Sequence, residues 1–235
     1  MSTVPPVSIP TPRSPRATIL NFPNWSPRTA SLVSGIGLAL MAVLMIAGYF
    51  GGIVPLITPG NAAETSADIS NSALLFLGGV SCIFVVALLD IVVAGAWYAL
   101  FKPVNRRLSA TAAWIRVVFA GLFMVAASHL VNAFALLGEP AQALRAIETF
   151  STAWVISLGL FGIYLVLIGY LAFRSGFMAK IFGILLAIAG FGYIADALGV
   201  AFSAHFPTTF GSFGFIGEVA IIFWLLIKGR RLTVR

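Results

Sequence analysis

The stretch DIVVAGAWYALFKPVNRRLSATAAWIR, residues 90–116, determines how this chain is arranged. It places an acid, Asp90, in one long apolar run and a base, Arg116, in the next. A short basic turn, residues 102–107, separates the two runs. Runs of this length joined by so short a turn predict an antiparallel pair of membrane helices. At a rise of about 1.5 Å per residue, Asp90 lies roughly 16 Å and Arg116 roughly 12 Å from the turn.

Asp90 and Arg116 are therefore a candidate buried ion pair across this helical hairpin. An ionised side chain at the centre of a membrane helix costs roughly 2.5–3.5 kcal/mol on insertion scales, so such residues face the interior and find partners. One interpretation is a lock that holds the hairpin together. A second is a role in transport or proton relay, and a third is that the two side chains do not meet.

The composition places the whole chain in a membrane. The 235 residues are 60% hydrophobic and only 9% charged, and the mean hydropathy is +1.04. Soluble domains carry about 25% charged residues, so a soluble fold could not bury this much apolar surface. Six continuous apolar runs approach or exceed the roughly 20 residues that a spanning helix needs. They predict an all-α bundle of six transmembrane helices, at about residues 31–56, 72–101, 110–137, 150–173, 178–202 and 212–227.

The charges predict the orientation of these spans. With six spans, 12 of the 14 basic residues fall in the segments on one side, and no acid does. Cytoplasmic loops carry the excess of Lys and Arg, so both termini should be cytoplasmic, in a multi-pass protein of the plasma membrane. The net charge of +7 then reflects topology and attraction to anionic membrane lipid, and it requires no nucleic-acid partner. The outer loops, near residues 59–71, 138–149 and 203–211, are too short to hold a domain.

The first 28 residues differ from the rest of the chain. Seven of the 12 prolines lie there, with Ser and Thr between them. Proline interrupts regular structure, and the segment has too little apolar surface to offset the entropy lost on ordering. We therefore expect residues 1–28 to be a disordered cytoplasmic tail, followed by one transmembrane domain at 29–235.

From Ser26 onward the chain resembles DUF4386, a family of bacterial integral membrane proteins described as a domain of unknown function. The resemblance depends on several short stretches: Thr58-Pro59-Gly60-Asn61-Ala62-Ala63, Lys102-Pro103-Val104-Asn105, Ala113-Trp114-Ile115-Arg116, Gly192-Tyr193-Ile194-Ala195-Asp196, Gly217-Glu218 and Trp224-Leu225-Leu226-Ile227-Lys228-Gly229. It implies about six spans. It implies no cofactor and no role for any particular residue.

A second group of polar residues is predicted in the outer half of the bundle. Its members come from three spans and are the candidate polar pocket, namely His129, Asn132, Tyr193, Asp196 and Glu218. Such residues at one depth could bind a small solute, an ion or a proton, could ligate a metal, or could only hydrogen-bond between helices. No H-E-x-x-H spacing or other catalytic motif accompanies them, so no catalytic, metal or cofactor residue is assigned.

Three hypotheses for function follow from these residues. The first is a membrane protein that binds or moves a small solute, ion or proton through a polar centre. The second is a structural or accessory protein whose buried charges only fix helix packing. The third, and weakest, is a membrane-embedded enzyme acting on lipid or quinone. Gly48 and Gly52 form a G-x-x-x-G motif that fits close packing within the monomer or in a dimer, so the oligomeric state stays open.

Overall fold

The computed structural model describes residues 25–203 and 214–229, and within these ranges the only regular structure is helical. The first helix, α1 (Pro27–Leu44), continues into a π-helix (Met45–Ile53) and a short 3₁₀ turn (Val54–Leu56). The remaining helices are α2 (Ala62–Asn71), α3 (Ala73–Phe101), α4 (Arg106–Ala135), α5 (Pro140–Arg174), α6 (Lys180–Phe202) and α7 (Gly214–Ile227).

Within the described residues, five helical segments are long and apolar enough to cross a membrane, which fits a multi-pass membrane protein. They are Pro27–Leu56, Ala73–Phe101, Arg106–Ala135, Pro140–Arg174 and Lys180–Phe202. The sixth predicted span corresponds to α7, whose 14 residues are fewer than the roughly 20 required. Six spans and cytoplasmic termini therefore stay predictions.

The described helices extend beyond the predicted spans in three places. The first outer loop contains α2, because the Asn61 side chain accepts a hydrogen bond from the Glu64 amide and also donates one to the Glu64 carboxylate, which caps the helix. The second outer loop is mostly helix, since α5 begins at Pro140 rather than near residue 150. The predicted tail lies outside the described residues up to position 24. Pro27 and Arg28 already belong to α1, where Ser26 is the N-cap.

The long helices form a closed ring. Going round it, α1 packs on α3, α3 on α4, α4 on α5, α5 on α6, α6 on α7, and α7 returns to α1. The short helix α2 lies against α5 and α3 at the end of the bundle opposite the turn at residues 102–105. Because the connections between α3 and α6 are short, successive helices run antiparallel.

The core is divided into two clusters along the ring axis. One, near the turn at residues 102–105, is built around Trp97, Phe101 and Leu171. The other, nearer α2, is built around Phe76 and Phe150. Met41 and Phe161 pack against both clusters, so they lie where the two clusters meet.

The interface between α5 and α6 is the most extensive among the described helices. A Cβ atom added to Gly162 would lie 2.5 Å from the Gly190 carbonyl oxygen, and one added to Gly183 would lie 2.5 Å from the Gly169 carbonyl oxygen. Small residues let helix backbones approach in this way, which favours association in a membrane. We call these four glycines the glycine seam.

Candidate functional site

The site begins with the two charged residues of the hairpin. Asp90 on α3 and Arg116 on α4 are each 2% exposed. The Arg116 Nε donates a hydrogen bond to Asp90 Oδ1 at 2.8 Å, and a second guanidinium nitrogen lies 2.5 Å from the same oxygen. The predicted contact between the two residues is therefore present in the structure. Both lie about 15 Å from the turn that joins α3 to α4, which explains why they meet.

A third polar residue completes the pair. The Arg116 guanidinium also donates to the Tyr164 hydroxyl on α5, at 2.8 Å. The guanidinium carbon lies 4.9 Å from the Tyr164 ring centre and 5.4 Å from that of Phe161. Aromatic faces attract a cation electrostatically, and more strongly where water is excluded. Arg116 is thus held by one carboxylate, one hydroxyl and two rings.

Tyr164 was not among the residues predicted from the sequence, although its position along α5 indicated its depth. Tyr164 precedes Arg174, the last residue of α5, by about the distance that separates Asp90 from Phe101 at the end of α3. Because these helix ends lie on the same side of the bundle, equal spacing implies equal depth. A hydroxyl at the depth of a buried guanidinium is a natural partner for it.

Next to Arg116 lies an interior cavity of about 310 Å³. Its wall includes residues from all six helices of the ring, among them Met41, Trp97, Arg116, Leu165, Leu186 and Ile221. The wall is mostly apolar. Its residues on α5 run from Trp154 to Ile168, about 21 Å along the helix axis, so the cavity is elongated along the bundle. Its volume is near the lower end for sites that bind small molecules.

The cavity has an opening beside the π-helix. Ile46 and Phe50 belong to the wall, yet they are 58% and 59% exposed on the outer surface of the bundle. On the opposite face of the same segment, Gly48 and Gly52 pack against α3 close to Gly79, and Gly48 also contacts Cys82. The G-x-x-x-G motif therefore packs within the monomer. The surface around Ile46 and Phe50 is apolar, so the opening faces lipid chains rather than water.

A buried polar atom of one wall residue, Trp97, has no partner in the described part of the chain. The Trp97 side chain is 3% exposed, and its indole Nε1 has no hydrogen-bond partner among the described residues. The indole N–H is a donor only. Buried tryptophan N–H groups are usually paired, because an unpaired donor costs roughly 1–3 kcal/mol. Trp97 follows Asp90 by about two helical turns and shares its helix face.

The predicted polar pocket stays a prediction, because the described residues do not test it. His129 and Asn132 are on α4, whereas Tyr193 and Asp196 are on α6, and α5 lies between these two helices. Asp196 is buried, His129 is half-buried and Asn132 is exposed. Of the five, Tyr193 belongs to the cavity wall. Glu218 is in α7, but its side chain is outside the described residues.

Within residues 25–203 and 214–229, no group of three or more His, Cys, Asp or Glu side chains could hold a metal ion. Cys82 is a half-buried free thiol that packs against Gly48. The described site therefore consists of a neutralised ion pair and an apolar, elongated cavity, with one buried unpaired donor on Trp97.

Comparison with known proteins identifies the family. The model of the family described as "Domain of unknown function (DUF4386)" matches residues 33–229. A protein of Archaeoglobus fulgidus, described as "Uncharacterized protein", is 36% identical over 153 residues, which are 64% of this chain and 83% of that relative. No solved structure matches. The resemblance noted in the sequence is confirmed, and this chain belongs to the DUF4386 family.

Proposed function

We propose that this protein is a six-span integral membrane protein whose helix ring binds a small, predominantly apolar molecule in its central cavity. The observation that carries the proposal is the elongated cavity of about 310 Å³ between the two core clusters. Side chains that line an empty space lose van der Waals contacts on that side. A bound molecule would supply these contacts.

The geometry supports binding better than ion or proton conduction. The described wall is largely apolar. Arg116 is the charged residue in it, and Asp90 neutralises Arg116. A conducting path requires polar groups or water along its length. We therefore retain the first hypothesis in one form, in which the centre binds a molecule and does not move an ion.

The test of this proposal is a substitution that fills the cavity. Ala42→Phe adds a ring at a wall position, and Ala47→Phe is the matched control, since Ala47 lies on the same segment but is exposed and outside the wall. Lipids extracted with each purified protein in nanodiscs would be compared by mass spectrometry. We expect at least one species to be enriched with wild type and Ala47→Phe and depleted with Ala42→Phe. Identical extracts from all three proteins would contradict the proposal.

A structural role is the second candidate, because one observation favours it. Arg116 is held by Asp90, Tyr164 and the Phe161 ring, which is what a lock between α3, α4 and α5 requires. The same lipid comparison separates the candidates, since a purely structural protein would show no species that depends on Ala42.

We further propose that α7 is part of a sixth span and that both termini are cytoplasmic. The support is the placement of 12 of the 14 basic residues on one side. Single cysteines at Pro103 and Gly138, in a Cys82→Ala background, would report the orientation. A membrane-impermeant maleimide should label Gly138→Cys in intact cells, and Pro103→Cys only after permeabilisation. The reverse pattern would contradict this topology.

A further inference from the structure

Aromatic side chains obstruct the cavity at the end near the turn at residues 102–105. Trp97 stacks on Phe101 with 5.4 Å between ring centres, and the Phe101 ring lies 5.7 Å from that of Phe177. The Phe177 ring in turn lies 6.3 Å from that of Trp224. These four rings reach across the interior from α3 to α7. They therefore hinder entry to the cavity from this end.

A second set of rings obstructs the end nearer α2. The ring of Tyr49, in the π-helix, lies 5.0 Å from that of Trp154 and 6.0 Å from that of Phe150 on α5. The Trp154 ring lies 5.7 Å from that of Phe123 on α4. A molecule dissolved in water would have to displace aromatic side chains to enter at either end. Among the described residues, the remaining route is through the side of the ring.

The side of the ring is open next to the π-helix, a rare structure that is often found at functional sites. Helix α1 packs on α7, whereas the π-helix that continues it packs on α3 and has no comparable contact with α6 or α7 in the described residues. Ile46 and Phe50 line the cavity from the π-helix, and Val219 and Ile222 line it from α7. We call the gap between these two pairs the side opening.

The side opening lies at the depth of lipid chains. Ile46 and Phe50 precede Leu56, the end of this helical segment, by at most about 15 and 9 Å along the helix axis. One leaflet contributes about 15 Å of hydrocarbon, so the opening lies within the leaflet on the α2 side. A lipid of that leaflet can keep its headgroup at the membrane surface and bend one chain into the cavity.

The cavity itself has room for a single hydrocarbon chain. Its wall is mostly apolar and extends about 21 Å along α5, so a volume of about 310 Å³ leaves a long and narrow passage. The Arg116 charge in the wall is already neutralised by Asp90. A chain that leaves the bilayer gains no hydrophobic free energy, but it gains van der Waals contacts with side chains that otherwise border empty space.

We propose that the cavity holds one acyl chain of a bilayer lipid, which enters through the side opening while the headgroup stays outside the ring. This inference rests on the proposed function, and it specifies the class of ligand and its route of entry. Because only the chain is enclosed, the protein selects lipids by their chain and not by their headgroup.

The test uses a photoreactive lipid in nanodiscs. Phosphatidylcholine with a diazirine at the end of one chain is irradiated with the protein, and labelled residues are mapped by mass spectrometry. Phe161 reports the cavity, because it lines the wall, is half-buried and packs against both core clusters. Phe123 is the matched interior control, since it is 2% exposed and lies outside the wall. Val125, which is 62% exposed, reports lipid around the bundle.

Two further probes carry the same diazirine at the same concentration. Phosphatidylglycerol changes the headgroup and keeps the chain, whereas free hexadecanoate is a chain without a lipid. We expect both phospholipids to label Phe161 and Val125 but not Phe123. Moving the diazirine to the middle of the chain should shift the interior label from Phe161 to Val219, at the side opening. Ala42→Phe, which fills the cavity, should abolish the Phe161 label and leave Val125 labelled and Phe123 unlabelled, which also shows that the bundle is intact.

Two results would overturn the inference while the proposed function stands, with lipid extracts that still differ between wild type and Ala42→Phe. The first is failure of either phospholipid to label Phe161. The second is a Phe161 label from free hexadecanoate alone, since the ligand would then be a detached chain. If the proposed function itself fails, Phe161 stays unlabelled with every probe and the lipid extracts of the two proteins are identical.

Discussion

The two sides of the helix ring are built in opposite ways. At the glycine seam between α5 and α6, the backbones touch and even one added methyl group would collide with a carbonyl oxygen. On the other side, Met41 and Ala42 of α1 and Met45 of the π-helix line open space, although Gly48 and Gly52 farther along pack closely on α3. Glycine permits close contact between helix backbones, whereas long flexible side chains leave room.

The same contrast applies to polar groups. Arg116 lies in the cavity wall and has several partners, whereas the buried Trp97 Nε1 has none among the described residues. At the seam, backbone carbonyl oxygens lie beside the glycines. A functional site in this ring is therefore expected on the α1 side, and substitutions on the two sides should have different costs.

The largest expected effect is the loss of a charge partner on the cavity side. Asp90→Leu would leave the Arg116 charge buried and paired only with a hydroxyl. We expect a loss of about 3–5 kcal/mol in the free energy of unfolding. The double variant Asp90→Leu with Arg116→Leu should recover much of this loss, because neither charge remains. Thermal unfolding in detergent, followed by size-exclusion chromatography, measures the stability of the single and the double variant. Equal loss in the single and double variants would argue against the lock.

An intermediate effect is expected at the seam. In Gly162→Ala, the new Cβ would lie 2.5 Å from the Gly190 carbonyl oxygen and 3.1 Å from the Ile194 nitrogen, and backbone atoms cannot move aside. We expect a loss of about 1–3 kcal/mol, as for other overpacked sites. The matched control is Gly121→Ala on α4, where nothing lies within 4 Å of the added atom. That variant should be neutral or more stable by up to about 1 kcal/mol. Similar unfolding temperatures for the two variants would refute the close contact at the seam.

The smallest effect is expected from filling the cavity. Ala42→Phe adds far more volume than Gly162→Ala, but it adds it to open space. We expect the free energy of unfolding to change by less than about 1 kcal/mol, since cavity-filling substitutions are commonly tolerated or stabilising. The unfolding temperature, measured as for the other variants, checks this. A loss larger than that of Gly162→Ala would reverse the comparison between the two sides.

Much of this architecture could be predicted from the sequence, because it depends on composition along the chain. Apolar runs predicted the long helices to within a few residues at most ends. Depth measured from the turn at residues 102–105 predicted that Asp90 would face Arg116. Both depend on a constant rise per residue, which requires no knowledge of tertiary packing.

The sequence was less informative where local signals had to outweigh hydropathy. Helix α2 is too polar to be noticed in a search for spans, although Asn61 and Glu64 form a recognisable cap. The polar pocket was predicted from depth and helix faces, and it stays a prediction. Depth does not say which helices are neighbours, and α5 lies between His129 and Asp196. The two residues can share a level of the bundle without meeting.

The sequence by itself therefore determined the class of protein, the family and the long helices, and it offered Asp90 with Arg116 as a candidate pair. The tertiary structure alone decided the order of helices in the ring, the glycine seam, the third partner Tyr164 and the cavity beside Trp97. The physical reason is that hydropathy and rise per residue are properties of each segment taken separately. A cavity and an unpaired donor depend on how all six helices of the ring are packed together.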